Sequence, residues 1–303
     1  MNSNKVARCL LYQLSHEERA RSLLSYTDAF PILVTQALNC KSDVPLELKA
    51  LLINTALSRP NAELLVRHNK GKTARSLVKR ALKTRDALLL KSVRNIAYHD
   101  GVCKEAMLPF IGNFASNVKS EDETFAVECI GTLANLNLPN IDYSLVLQEY
   151  DLINWLRFVL DEKNQIADDI VLESVLLAGT AAMDDQCAAL LAREGVVQLL
   201  VDSLKAKQED DELVCQIVYV FYQMVFHDVT RKQFLETSAP AYLVDLMHDS
   251  NSQVRKVCDS TLDIISEFDQ EWAVKIRMEK FRWHNSQVSL NCGSLRTRIL
   301  RYY

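Results

Sequence analysis

Seven segments of this chain share one shape and recur at a steady interval. CLLYQLS, ALLINTALS, SVRNIAYHD, GTLANLNLP, LLAGTAAMDD, FYQMVFHD and DIISEFD are each crowded with apolar residues around one small polar position. Aligned on it, they bring Gln13, Asn54, Asn95, Asn135, Thr180, Gln223 and Ser266 into register, at spacings of 41, 41, 40, 45, 43 and 43 residues. A period of this size marks a chain built by stacking small helical units, none of which buries its apolar face alone.

The order inside each unit is also constant. A long apolar helix such as LELKALLINTALS comes first. A shorter one follows, as in NAELLVRHNK, DDQCAALLAREG or DVTRKQFLETSA. The third, as in FPILVTQALNCKSD, GVVQLLVDSLKAKQED or APAYLVDLMHDSNS, carries apolar residues at helical spacing and ends in a charged turn. Pro31 and Pro240 suit first helical turns, where a missing N–H is tolerated. Ser120 with Glu123 reads as a capping box before FAVECIGTLANL. Glycine, 7 in 303 residues, is scarce, which disfavours phosphate loops and tight hairpins. The expected fold is all-α: an armadillo/HEAT-like right-handed superhelical solenoid of about six to seven repeats. It is expected to fill residues 1–287 as a single domain. The apolar start VARCLLYQL lacks the polar outer face of a terminal repeat, so the array is expected to lack repeats on its N-terminal side. The rhythm is lost in the basic stretch 288–303, where an irregular or disordered tail is expected.

One stretch, DDELVCQIVYVFYQMVFHD at 210–228, tests this picture. Its apolar run is shorter than the roughly 20 residues a membrane span needs. Val214, Ile217, Val218, Phe221 and Val225 share one face, and Tyr219, Val220, Tyr222, Met224 and Phe226 make the other faces apolar too. A helix apolar all round is expected to be buried on several sides, with Gln216 or Gln223 left to face a groove. The 8 cysteines show no CxxC or zinc-ligand spacing and read as reduced, mostly buried thiols. MNSNKVARCLLYQL does not read as a signal peptide.

Charge is distributed unevenly. Residues 1–100 hold 17 Lys+Arg against 8 Asp+Glu, a net of +9, while the rest is net −13. The excess gathers at RHNKGKTARSLVKRALKTRD, continued by Lys91 and Arg94. Arg75, Lys79 and Lys83 fall on one helical stripe, with Arg80 beside them. Two readings stand: a solvated face, or an electrostatic dock for an acidic protein segment. Nucleic acid is disfavoured, because the rest of the surface is acidic and no aromatic residue interleaves the basic run. Asn54, Asn95 and Asn135 are candidate groove amides for a partner's backbone. Satisfying local backbone is the alternative role.

Nothing points to catalysis. NKGKT at 69–73 lacks the upstream glycine of a phosphate loop, since position 66 is Val66. The six histidines are scattered, with no pair at i, i+4, and His227 reads as a turn residue beside terminal carbonyls. Asp184–Asp185 and Glu209–Glu212 stand where helices begin and read as caps. No enzyme activity, cofactor, metal or small-molecule substrate is expected.

Long stretches resemble a known family. ECIGTLANLNLPNIDYSLVLQEYDL, AAMDDQCAALLAREGVV, QEDDELVCQIVYVFYQMVFHDVTR, APAYLVDLMHDSNSQVRKVCDSTLDII and EWAVKIRMEKFRWHNSQ are similar to the armadillo region of kinesin-associated proteins, with RNIAYHDG and VKRALK a looser match. These are the non-motor accessory subunits of heterotrimeric kinesin-II. The match runs from about residue 8 to Gln287 and corresponds to the C-terminal part of that region. The resemblance implies an adaptor that binds motor-chain tails and cargo adaptors and performs no ATP chemistry. It also implies a cytoplasmic, microtubule-associated location and a role in ciliary, intraflagellar transport. The alternative is a peptide-binding scaffold like the armadillo-type nuclear-transport receptors. Those carry tryptophan four residues before the groove asparagine, where this chain has Ala50, Lys91 and Gly131.

Overall fold

The computed structural model describes residues 3–282, so the expected tail at 288–303 lies outside the described residues. Among the described residues every regular element is helical. The chain divides into two compact units, one formed by residues up to 159 with 165–181, the other by 160–164 and the residues from 182 on.

The first unit opens with α1 (Ser3–Leu14), α2 (Glu18–Leu23) and α3 (Ala29–Leu38). A full triplet follows in α4 (Leu46–Ala56), α5 (Arg59–Arg67) and α6 (Lys72–Thr84). The next is α7 (Ala87–Ala97), α8 (Val102–Glu105) and α9 (Ile111–Ala115), then α10 (Glu123–Ala134), α11 (Tyr143–Glu149) and α12 (Leu152–Leu160). α13 (Asp168–Ala181) completes this unit. The second unit holds α14 (Asp185–Arg193), α15 (Val196–Ala206), α16 (Asp211–Val225), α17 (Asp228–Leu235), α18 (Ala239–Leu246) and α19 (Ser252–Phe268), with helical backbone again over 270–282.

The long helices make the spine of each stack. In the first unit α1 packs on α4, α4 on α7, α7 on α10 and α10 on α13; in the second, α16 packs on α19. This row follows from composition. α10 buries Phe125, Ala126, Cys129, Ile130 and Leu133 completely, and Phe125, Ile130 and Leu133 each contribute about 1.5–3 kcal/mol on leaving water. Helix starts are set by carboxylates accepting main-chain N–H bonds: Asp86 from Leu89, Asp142 from Leu145, Asp184 from Cys187 and Asp210 from Glu212 and Leu213. The expected Ser120–Glu123 box is not the cap of α10. Asp122 holds that place, accepting from Phe125 N at 3.1 Å, because Ser120 Oγ is engaged by Arg85 and by Asp122 N.

The segment 210–228 is core on one side and open on the other. Val214, Ile217, Val218, Phe221 and Val225 are buried as expected, with Val220 and Met224 beside them. The helix is buried on several sides, as expected, and the face it leaves open carries Tyr219 and Phe226, exposed by 37% and 52%. Tyr222 bridges them, 6.3 Å ring to ring from Tyr219 and 4.8 Å from Phe226. The hydroxyls of Tyr219 and Tyr222 suit contact with water, while the Phe226 ring leaves bare apolar surface beside them. Cys103, Cys129, Cys187 and Cys258 are buried; Cys9 is exposed.

Candidate functional site

Four of the seven aligned polar residues latch successive repeats together, while Ser266 bonds back to Leu262 O in its own helix. The amide Nδ2 of Asn95 donates to the Ile53 carbonyl at 3.1 Å, and that of Asn135 to the Arg94 carbonyl at 3.3 Å. Thr180 Oγ1 donates to Ala134 O at 2.6 Å, and Asn54 Nδ2 to Ser15 Oγ at 3.0 Å. Two histidines act alike, His99 on Ala56 O and His227 on Ala182 O, both at 2.9 Å. Ile53, Ala56, Arg94 and Ala134 all lie in the last turn of their helices, where carbonyls have spare acceptor capacity; that of Arg94 also accepts from Tyr98 N at 3.0 Å. Asn95, His99, Asn135 and Thr180 thus each satisfy a carbonyl in the last turn of the long helix one repeat before. The amides of Asn95 and Asn135 each give one N–H to this role, and that of Asn54 gives one to Ser15 Oγ, the local use that the sequence left as the alternative.

The basic residues divide into two groups. Arg80 is a latch too, donating from Nη1 to Leu38 O and from Nη2 to Ser42 O, beyond the end of α3. Arg75 bonds back to the Lys70 carbonyl at 2.9 Å. Lys79 and Lys83 are exposed and line a cavity of about 480 Å³ with Lys41, Asp43 and Asp86. Both of those carboxylates are paired with Lys49, at 3.0 and 2.7 Å. Lys49 offsets only one of these two carboxylates, so Lys41, Lys79 and Lys83, with Arg80, leave a field at this rim that is net positive.

Lys91 and Arg94 stand elsewhere, over carboxylates. Arg94 Nη2 donates to Glu173 Oε1, and Nη1 lies 3.7 Å from Glu128 Oε2. Lys91 Nζ is 3.7 Å from Glu128 Oε1. Glu128 on α10 and Glu173 on α13 are both 6% exposed. Burial pushes both carboxyls above the usual glutamate range, against the pull of Arg94 and, at Glu128, Lys91. Gly131 makes the arrangement possible, because the Arg94 guanidinium lies where a β-carbon at 131 would stand. The same guanidinium covers the position at which the import receptors carry tryptophan.

The two glutamates escaped the reading of the sequence, though a signal exists. Glu128 and Glu173 each stand seven residues before the aligned polar position of their repeat, as Glu47 and Gln216 do in theirs.

Among the described residues no helix is long and apolar enough to cross a membrane, and no group of three or more acidic, His or Cys side chains is placed to hold a metal. Three-helix repeats latched end to end along a row of long helices define an armadillo-repeat protein. The solved structures agree on the fold. One engineered protein matches with a TM-score of 0.71 at 17% identity, over 92% of this chain and 69% of that one. A designed armadillo repeat protein in complex with the peptide (KR)4 matches with a TM-score of 0.61 at 18% identity, over 78% of this chain and 98% of that one. The sequence profile of the kinesin-associated protein (KAP) family matches residues 1–295, and the chain belongs to that family.

Proposed function

We propose that the chain is a non-catalytic adaptor subunit of a kinesin motor. It binds tail segments of the motor chains of heterotrimeric kinesin-II and links them to cargo adaptor proteins for microtubule-based transport in the cytoplasm and cilium. The family match over residues 1–295 is the observation that carries this reading. The continuous row of long helices from α1 to α13 supports it, offering one surface along which an extended or helical segment can lie. The rim with Lys41, Lys79 and Lys83 is the proposed dock for acidic stretches of such a segment, and exposed Arg75, earlier on the same helix, adds to its positive charge. Rim charges of this kind act mainly on association rate and salt sensitivity.

The test is co-expression of residues 1–303 with the two motor tail segments, followed by size-exclusion chromatography at low and moderate salt. The expected result is a three-chain complex that weakens as salt rises. A well-folded chain that elutes alone at both salt concentrations overturns the proposal.

A further inference from the structure

We infer that the cavity between α7, α10 and α13 receives a lysine or arginine side chain from an extended protein segment laid across these helices. The inference rests on the adaptor reading only for the origin of that segment. The cavity holds about 430 Å³. Its walls include Leu88, Val127 and Ile170, a sleeve suited to the methylene stem of a long cationic side chain. Its charged lining is Lys91 and Arg94 against Glu123, Glu128, Asp169 and Glu173, an excess of two negative charges.

Glu123 and Asp169 sit in the first turns of α10 and α13, where the helix dipole offsets part of their charge. Glu128 and Glu173 stand deeper and share one guanidinium. The Oε2 atom of each is buried and accepts no hydrogen bond among the described residues, that of Glu128 being held only by the Arg94 charge at 3.7 Å. Two carboxylates out of water with unfilled acceptor sites call for further N–H donors, and an incoming guanidinium or ammonium supplies them. An acidic segment meets the opposite situation and is repelled. The two faces of this unit thus sort charge: acidic stretches toward Lys79 and Lys83, a basic side chain toward Glu128 and Glu173.

The test uses a fluorescein-labelled octapeptide of alternating lysine and arginine and the full chain, read by fluorescence anisotropy at 50 and 150 mM salt. Glu173→Gln, which keeps the shape of the side chain, is expected to weaken binding at least tenfold. Asp169→Lys, at an exposed position on the cavity mouth, is expected to weaken it at least fivefold, and it keeps the test decisive if the buried variant fails to fold. Glu209→Gln with Glu212→Gln removes two acids elsewhere and is expected to change binding less than twofold. Equal losses in all variants, or no binding at 50 mM salt, overturn the pocket. Co-purification with the motor tails runs in parallel. A pocket that fails while the three-chain complex survives leaves the adaptor reading standing, and the reverse outcome removes the adaptor reading while leaving the pocket.

Discussion

The guanidinium of Arg94 lies over Gly131, in the space that a β-carbon at that position would fill. One residue without a side chain on α10 thereby seats the cation that two buried carboxylates share. Gly131→Ala forces that guanidinium aside. A helical Gly→Ala change gains about 1 kcal/mol where there is room. Stripping a buried carboxylate of its partner costs on the order of 3 kcal/mol. A net loss of about 2 kcal/mol in urea unfolding is therefore expected by that balance. In an Arg94→Ala background the obstacle is gone, and Gly131→Ala should then stabilise. A double-mutant cycle checks the change of sign; additive effects would contradict it.

The latches predict a communal loss of stability. Asn95→Ala removes the donor to Ile53 O and leaves that terminal carbonyl without its side-chain partner, a cost of about 1 kcal/mol. Because the bond joins two repeats, amide exchange should quicken in both α4 and α7. Acceleration confined to α7 would show that Asn95 serves its own helix alone.

These latches also show how far the sequence speaks. The period was legible because it is written in side chains: Asn54, Asn95, Asn135 and Thr180 recur in apolar surroundings. What they hold was not, because the acceptors at Ile53, Arg94 and Ala134 are main-chain carbonyls, which leave no mark on residue identity. The three-helix order and the core face of α16 could be read from spacing for the same reason. The open face of Tyr219 and Phe226 could not, since aromatic residues look alike whether covered or bare. Asp122 displaced the expected cap at Ser120 because Arg85, 35 residues away, claims the serine hydroxyl. Glu128 and Glu173 each looked like a lone acid in an apolar helix until the fold set them beside one arginine.

The buried glutamates predict an unusual dependence on pH. Their folded-state values lie above the ordinary 4.5 because burial disfavours the charge. Above those values both are ionised in the folded and unfolded chain, and the folded state carries the full burial penalty. As pH falls toward 4.5 they take up protons first in the folded state, which gains relative to the unfolded. The stability of the wild type minus that of Glu128→Gln/Glu173→Gln should therefore increase as pH is lowered from about 7 to about 5 by that linkage. Lys91, Arg94, Glu123 and Asp169 face the pair and are common to both proteins, so they cancel in the difference to first order. A difference that shrinks over this range would contradict the assignment. Asp43 has the opposite sign, since its bond to Lys49 holds it below the usual aspartate range.

The core of the second unit rests on Phe221, fully buried and packed edge-on against Phe234 at 5.1 Å. Phe221→Ala should cost about 3–5 kcal/mol. Phe221→Asp should abolish the folding of α16 and α17 together, seen as lost helicity in circular dichroism. An unchanged melt would refute the core assignment.

Thiol chemistry gives an independent reading of burial. The thiols of Cys103, Cys129 and Cys258 are pushed up to about 11, 12 and 12 by desolvation, and Cys9 is exposed. Brief alkylation of the native chain at about pH 8 should label Cys9 and spare those three, because the thiolate is the reactive form. Early labelling of Cys103, Cys129 or Cys258 would mean that the repeats open far more readily than their packing implies.

On the proposed function, motor tail segments lie along the row of long helices in the first unit. Hydrogen exchange of the chain with and without the two motor tails, read by mass spectrometry, tests it most directly. Slowed exchange is expected at the solvent-facing amides of α4, α7, α10 and α13. Protection that leaves all four helices unchanged would contradict it.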